Sequence, residues 1–173
     1  PMSLKRLLSR WRSDPEIGGN VVDWRTVPAR EAVLRPLPED LHADVLAAAK
    51  ARGFEELYLH QRQSWDLVGD GKNVSITSGT ASGKTLCYNL PVLNALAHDP
   101  DAKALYLFPT KALAQDQKNE LERWRENLPD SAELTYGTYD GDTPQHARPQ
   151  VRKAARIIIS NPDMLHMGIM PNH

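Results

Sequence analysis

A run of nine residues, 77–85, has the composition of a loop that binds phosphate groups. It reads Thr-Ser-Gly-Thr-Ala-Ser-Gly-Lys-Thr, follows the short run Asn-Val-Ser-Ile and precedes an apolar stretch. In such a loop a glycine lets the backbone approach a pyrophosphate, and a lysine brings a cation to the outer phosphates. Thr85 is placed to hold a magnesium ion. We therefore predict a nucleotide site formed by Ser78, Gly79, Thr80, Ala81, Ser82, Gly83, Lys84 and Thr85, with a Gly/Ser-rich turn that binds no ligand as the alternative.

A glutamine upstream of this loop is a candidate for contacting the base of a nucleotide. Gln61 ends the run Leu-Tyr-Leu-His-Gln, which opens a predicted helix. A carboxamide has donors and an acceptor, so it can pair with the donor and acceptor edge of adenine. The alternative is an ordinary glutamine on a helix surface.

Three later segments combine the end of a predicted strand with a polar turn. In the first, Thr110 can cap a helix and, with Lys111, form a site for one backbone phosphate. In the second, Gly141 lies in a turn before Pro144, the expected first residue of a helix. The third segment has the same combination of a turn and a helix start at Asn161 and Pro162. Helix N-termini bind phosphates without contacting bases. Ordinary helix capping is the alternative for each segment.

The elements that would position these residues alternate between strands and helices. After helices near 40–53 and 61–68, the pattern predicts strands at 73–77, 103–108, 133–137 and 156–160, with helices at 84–97, 111–127 and 144–155 between them. Strands separated by helices pair in parallel, so the predicted fold class is α/β with a parallel sheet. Ligands bind beyond the carboxyl ends of such strands, so we expect the candidate loops to share one edge.

The first 38 residues are predicted to be an accessory segment. They comprise a basic amphipathic helix at 3–12, a possible edge strand at 21–24 and a proline-containing connector at 28–38. A docking helix is favoured over a membrane or nucleic-acid arm. The resulting domain prediction is 1–38 for the accessory segment and 39–173 for the nucleotide-binding domain.

Composition excludes several classes of protein. With 21 basic and 22 acidic residues, the 173-residue chain is not a globally cationic nucleic-acid binder, although a few local phosphate contacts remain compatible with it. The single cysteine, Cys87, excludes an intrachain disulfide framework and a cysteine-cluster metal site, and it indicates a reducing compartment. Because no stretch has the length and apolarity of a membrane span, we expect a soluble, cytoplasmic protein.

Taken in order, these segments resemble the first motor domain of superfamily 2 helicases. More narrowly, they are similar to the RecQ-related DNA repair helicases of the mitomycin-repair-factor type, which are grouped with the DEAD/DEAH-box helicases. The likeness runs from about residue 28 to the last residue. It departs from the family at Ser78-Gly79, where Thr-Pro is common, and after Gln61, where small residues are more usual. The segments that carry it are Leu57–Gln61, Thr80–Thr85, Leu86–Pro91, Leu107–Gln117, Tyr139–Thr143 and Asn161–His166.

The resemblance implies a RecA-like P-loop NTPase domain that uses ATP and magnesium to move along single-stranded DNA and unwind the duplex ahead. It implies that Gln61 contacts adenine and that Gly83, Lys84 and Thr85 hold the triphosphate and the metal, Lys84 and Thr85 being the catalytic candidates. The residues that it places along the DNA backbone are Thr110, Lys111, Gln115, Asn161 and Pro162, to which we add Gly141 from its turn.

Hydrolysis in such motors needs two carboxylates, which they supply as Asp-Glu at the end of an apolar strand. Here the apolar run 157–159 leads into Ser-Asn-Pro instead, and Asp163 is interpreted as a capping or structural residue. We therefore expect an incomplete first motor domain from a longer helicase, marginally stable and poorly active by itself, whose remainder includes the second motor domain. The alternatives are an RNA helicase of the same superfamily and a non-catalytic nucleotide- or nucleic-acid-binding module.

Overall fold

The computed structural model describes residues 3–25, 27–28, 31–79, 82–129 and 133–172. The predicted site residues Thr80 and Ala81 therefore lie outside the described residues. The chain divides into two compact units, residues 1–32 and residues 33–173. The predicted domain boundary at residue 38 stays a prediction.

The first unit contains two helices, α1 (Leu4–Ser13) and α2 (Pro15–Gly18). The Asp14 carboxylate begins α2 by accepting hydrogen bonds from the N–H groups of Glu16 and Ile17. The helix predicted at 3–12 is confirmed. The edge strand predicted at 21–24 is wrong: these residues form no regular element, and Val22 is fully exposed.

The second unit is built on a parallel sheet of three strands. The strand order is β3-β5-β4, and both neighbouring pairs are parallel. The α/β fold class with a parallel sheet is therefore confirmed. The unit also contains a separate antiparallel pair of strands, β1–β2. In chain order, its strands and helices are β1 (Leu34–Pro36), α3 (Ala43–Ala51), β2 (Glu56–Tyr58), α4 (Leu59–Gly69), α5 (Lys84–His98), β3 (Ala104–Leu107), α6 (Lys111–Arg125), β4 (Tyr136–Thr138), α7 (Arg148–Ala154), β5 (Ile157–Ser160) and α8 (Pro162–Met164).

The core of this unit lies between the sheet and the helices packed on it. The middle strand β5 carries Ile157 and Ile159, whose side chains are fully buried, as expected for a strand with a neighbour on each side. Trp124 on α6 is equally buried, and the Arg52 guanidinium stacks over its ring at 4.4 Å. Because Arg52 also forms a 2.8 Å ion pair with Glu120, it joins the end of α3 to α6.

Gly53 terminates α3. Gly53 has φ +82°, a conformation that favours glycine. Its N–H donates to the Lys50 carbonyl and that of Phe54 donates to the Ala49 carbonyl, both at 2.9 Å. This pair of bonds is a Schellman motif, which satisfies carbonyls that the helix leaves without partners.

Two predicted elements differ from the structure. Residues 73–77 form no strand, because a strand needs a partner and no other described segment pairs with them. Their burial still alternates as in a strand: Val74 and Ile76 are half-buried, and the residues beside them are exposed. The helix predicted at 144–155 begins at Arg148, so Pro144 is not its first residue. Pro149 explains the difference, since proline is tolerated in the first turn of a helix but not in its interior.

The antiparallel pair β1–β2 was not predicted. Leu34 pairs with Tyr58 and Pro36 with Glu56, within the segment expected to be an extended connector and just before α4. Strands of three residues are too short to show a period of two in the sequence. Among the described residues, none of the helices is long and apolar enough to cross a membrane.

Candidate nucleotide and nucleic-acid sites

The ammonium group of Lys84 lies inside the loop that precedes α5. Its Nζ atom donates to the carbonyl oxygens of Ser78 at 3.0 Å and Gly79 at 2.6 Å. The hydroxyls of Ser78 and Ser82 lie 3.3 Å from the same nitrogen and 2.6 Å from each other. The loop therefore curls around one positive charge and surrounds it with four oxygen atoms. Anionic phosphate oxygens are stronger acceptors than these neutral ones, so a phosphate group could replace them.

Gly83 forms the tight turn between the loop and α5. Its φ is +75°, and a Cβ atom at this position would lie 2.6 Å from Nε2 of Gln61. Any other residue would therefore be strained in its backbone and would displace the glutamine. Gly83 thus has the left-handed backbone conformation that favours glycine, and its approach to a phosphate stays a prediction.

The first turn of α4 is joined to the phosphate loop by two side chains. The buried Gln61 accepts a 2.8 Å hydrogen bond from the Tyr58 N–H and donates to the Gly83 carbonyl at 3.0 Å. The neighbouring His60 places Nε2 2.9 Å from the Ser82 carbonyl. Each amide atom of Gln61 retains capacity for one more hydrogen bond, as an adenine contact would require. The adenine role of Gln61 stays a prediction.

A cavity of about 850 Å³ connects this loop with the start of α6. Gln61, Gly83 and Thr85 line it together with Phe108, Leu113 and Gln117. Lys84 begins α5 beside it, so the structure gathers Gln61, Gly83, Lys84 and Thr85 into one region.

The loops that follow the three parallel strands meet at one edge of the sheet. Thr110 caps α6 by accepting a 3.3 Å hydrogen bond from the Leu113 N–H, and Asn161 caps α8 by accepting one of 2.8 Å from the Met164 N–H. Lys111 reaches across to the third loop, where its ammonium group pairs with the Asp142 carboxylate. The capping predicted for Thr110 and the shared edge of these three loops are confirmed. Asp163, interpreted as a capping or structural residue, does not cap α8, because it lies inside the helix and Asn161 is the capping residue.

Three further predicted residues lie at or near this edge. Gly141 is exposed in the turn after β4, and Pro162 is the first residue of α8. Gln115 is exposed on α6, where its amide donates to Asn119 at 3.0 Å along the helix surface. Their roles in binding nucleic acid stay predictions.

Electrostatics at this edge are dominated by the Lys111–Asp142 pair. The hydrogen bond to Asp142 and its negative charge raise the pKa of Lys111, so the lysine remains charged. Both side chains are well exposed, about seven-tenths each, so the pair is held weakly. A phosphate group could therefore compete with Asp142 for the lysine.

A cluster of four polar side chains, three of them buried, was not predicted. Asn89 on α5 accepts 2.9 Å hydrogen bonds from the Tyr106 hydroxyl on β3 and from the Gln117 amide on α6. Gln117 in turn accepts a 2.9 Å bond from the Tyr88 hydroxyl. We call Tyr88, Asn89, Tyr106 and Gln117 the α5–α6 polar cluster. The sequence contained one indication of this cluster: the polar Asn89 stands among the apolar residues Leu86, Leu90 and Leu93 on the buried face of α5.

A phosphate loop that opens a helix, beside a parallel sheet whose strand-end loops share one edge, defines a P-loop nucleotide-binding domain of the RecA-like type. The chain belongs to the DEAD/DEAH box helicase family, whose model matches residues 58–172.

Relatives of known sequence and structure agree with this assignment. The chain is 48% identical over 169 residues to the uncharacterized ATP-dependent helicase YprA of Bacillus subtilis, covering 98% of this chain and 22% of that protein. It is 36% identical to the ATP-dependent helicase HRQ1 of Saccharomyces cerevisiae, covering 99% and 16%. The crystal structure of the helicase MrfA bound to DNA and AMPPNP matches with a TM-score of 0.89 and 47% identity, covering 99% and 23%. The resemblance to helicases of the mitomycin-repair-factor type is thereby confirmed, and the chain spans less than a quarter of the length of these relatives.

Proposed function

We propose that this chain forms the ATP-binding part of a longer DNA helicase that works in DNA repair. The observation that carries the proposal is the Lys84 ammonium, held by four loop oxygens at the start of α5 and directly after Gly83, whose φ is 75°. A loop of this geometry presents a cation and backbone N–H groups to a triphosphate. MrfA, crystallised with AMPPNP, supports the assignment of ATP.

Within the nucleotide site the residues have separate tasks. Lys84 contacts the outer phosphates, Gly83 lets the backbone approach them, and the Thr85 hydroxyl binds magnesium. Gln61 fixes the position of Gly83 and contacts adenine with its remaining donor and acceptor. Magnesium, when bound with ATP, neutralises charge that develops on the transferred phosphoryl group.

The shared edge of the sheet is proposed to bind the nucleic-acid backbone. The N-termini of α6 and α8 offer N–H groups and hydroxyls to phosphates, and Lys111 adds a positive charge. Such contacts do not depend on base sequence. The proposed strand-contacting residues are Thr110, Lys111, Gln115, Gly141, Asn161 and Pro162.

DNA is favoured over RNA as the substrate because of the relatives. MrfA, which is bound to DNA, is 47% identical to this chain. The DEAD-box helicase Mss116, which is bound to single-stranded RNA, is 20% identical and supports the fold alone. The single buried Cys87 supports work in a reducing compartment, and we propose the cytoplasm.

ATP turnover by the complete protein tests the proposal. We expect single-stranded DNA to stimulate turnover more strongly than RNA of the same sequence, with the Lys84→Ala variant as the inactive background. Equal stimulation by RNA would support an RNA helicase instead. A complete protein that neither binds nor hydrolyses ATP would overturn the assignment.

A further inference from the structure

We infer that Tyr88 is a positioning residue that couples the nucleotide site to the strand-binding edge through the α5–α6 polar cluster. The inference rests on the proposed function, because it assigns a route between the two sites proposed above. Tyr88 contacts neither proposed ligand directly. It lies one helical turn after Thr85 on α5, lines the same cavity as Thr85 and donates to Gln117.

Two hydrogen bonds tie α5 to α6 at Tyr88 and Gln117. The Tyr88 hydroxyl donates to Gln117 Oε1, and Gln117 Nε2 donates to Asn89 Oδ1, each at 2.9 Å. Burial raises the pKa of Tyr88, and a hydrogen bond with the Thr85 side chain counteracts part of that rise. The helical turn that carries Thr85, the proposed magnesium ligand, is therefore linked to α6 through the Tyr88 hydroxyl and the Gln117 amide.

The donors and acceptors permit this arrangement when Thr85 holds a cation. A threonine hydroxyl has two lone pairs and one hydrogen, so its oxygen can bind a cation while its hydrogen is donated to Tyr88. Tyr88 can accept that hydrogen and still donate its own to Gln117. Hydrogen bonds in such a chain polarise one another, so a change at the first bond is felt at the next.

The position of Gln117 makes α6 the receiving element. Gln117 is only 3% exposed, and it lies six residues after Lys111, the first residue of α6. At a rise of about 1.5 Å per residue, this places it about 9 Å along the helix from the edge where Lys111 lies. Because a helix moves as a rigid rod, a shift at Gln117 moves the N-terminus that is proposed to hold the strand.

The cluster also provides a matched control. Tyr106 donates a buried 2.9 Å hydrogen bond to Asn89, whereas the 2.9 Å bond from Tyr88 to Gln117 is partly buried; Tyr106 lies on β3 and outside the path from Tyr88 to α6. Its ring packs edge-on against Tyr88 with centroids 5.4 Å apart. The variants Tyr88→Phe and Tyr106→Phe therefore each remove one hydroxyl that donates a hydrogen bond within the cluster.

The experiment measures the affinity of the complete protein for single-stranded DNA with and without AMPPNP. The ratio of the two dissociation constants is the coupling factor, and factors of about 5 to 150 are typical of linked sites. We expect Tyr88→Phe to lower the factor at least about threefold toward unity and Tyr106→Phe to leave it within about twofold of the unmodified protein. The affinity for AMPPNP, measured with and without DNA, must change by the same factor.

The outcomes separate this inference from the proposed function. Equal losses of coupling in both variants would show a merely structural cluster, and unchanged coupling in Tyr88→Phe would exclude the route; either result overturns the inference. An unmodified protein that binds both ligands without coupling overturns it as well, while the proposed function stands. An unmodified protein that binds neither ligand overturns the proposed function itself.

Discussion

The ammonium group of Lys84 is the residue-scale feature on which the proposed nucleotide binding depends. It already has oxygen partners on Ser78, Gly79 and Ser82, so its position is fixed before a phosphate arrives. Replacing Lys84 by alanine removes the cation while leaving the strand-end loops untouched. Binding and turnover should therefore respond differently to this substitution.

For Lys84→Ala in the complete protein we expect ATP turnover to fall by about 100-fold or more, because a pre-positioned charge at the reacting phosphate is lost. Binding of single-stranded DNA should be largely retained. ATPase and DNA-binding assays measure the two quantities. Lys72→Ala removes an exposed lysine that pairs with Asp70, so it should change neither. Equal losses of turnover and of DNA binding would contradict the separate sites.

The Lys111–Asp142 ion pair leads to two predictions of opposite sign for DNA binding. Lys111→Ala should weaken single-stranded DNA binding equally for all sequences and lower its salt dependence by about one phosphate contact. Asp142→Asn removes a carboxylate that competes with phosphate for the same ammonium, so it should tighten binding by about two- to fivefold. Titrations at several salt concentrations measure both effects.

The control for this pair is Lys103, which precedes the opposite end of β3 and donates to the Arg152 carbonyl at 2.9 Å. Lys103→Ala should leave the salt dependence unchanged. A strong base preference in the Lys111→Ala loss would argue against a backbone contact.

At the scale of elements, a hydrogen bond ties β4 to α6. The Tyr136 hydroxyl donates to the Glu122 carboxylate, which also pairs with Arg125. Burial, together with this hydrogen bond and the carboxylate charge, raises the pKa of Tyr136 to about 12. The same hydrogen bond lowers the pKa of Glu122.

The tyrosinate absorbance of Tyr136 is obtained as the difference between the unmodified protein and the Tyr136→Phe variant. We expect this absorbance to titrate near pH 12 rather than at the ordinary 10. Between these values the folded chain keeps a proton that the unfolded chain releases, so this contribution to stability is lost as the pH rises from 10 through 12. Glu122→Gln should move the midpoint back toward 10, because the negative charge beside the hydroxyl is removed. A midpoint at 10 in the unmodified protein would show that the pair is not formed.

The sequence predicted elements best where a pattern repeats within one element. The long helices α5 and α6 follow from their apolar spacing, and β3 and β5 from their aliphatic runs. The strand at 73–77 was wrong because its local pattern is suitable but strand formation depends on a partner elsewhere in the chain. β1 and β2 were missed for the complementary reason: they are too short to show a pattern and form only through their pairing.

Residues of the candidate site were likewise predicted where their pattern is contiguous in sequence and missed where it is not. Gly83 and Lys84 were predicted because a phosphate loop is contiguous in sequence, and the structure places them at the cap and at the first residue of α5, while their contacts with a nucleotide stay predictions. The α5–α6 polar cluster was missed because it joins three elements through side chains that look unremarkable singly. Only the fold shows that Asn89 and Gln117 face each other across a buried interface.

At the scale of the whole molecule, one face of the sheet bears exposed apolar side chains. Leu105 and Leu107 lie on the same side of β3 and are 44% and 39% exposed, whereas Tyr106 on the other side is buried. β3 is an outer strand of the sheet, and no described segment pairs with its outer edge. Exposed apolar strands at a sheet edge favour association between chains.

We therefore expect the isolated 173-residue polypeptide to self-associate as its concentration rises. The double variant Leu105→Lys with Leu107→Lys should reduce this association, because charged side chains on an edge strand oppose pairing. Sedimentation velocity at several concentrations measures it. Val68→Lys changes an equally exposed residue on α4 and should have no effect. Sedimentation independent of concentration in the unmodified polypeptide would count against the prediction.

The four oxygens around Lys84 also bear on which anions the loop admits. A single inorganic phosphate must displace neutral acceptors already in place and lose its own hydration for one contact. A triphosphate presents linked groups, so after the first binds, the others are held close to the remaining donors. We therefore expect the loop to select ligands by the number of joined phosphoryl groups, and the inorganic phosphate released by hydrolysis should inhibit the complete protein only weakly.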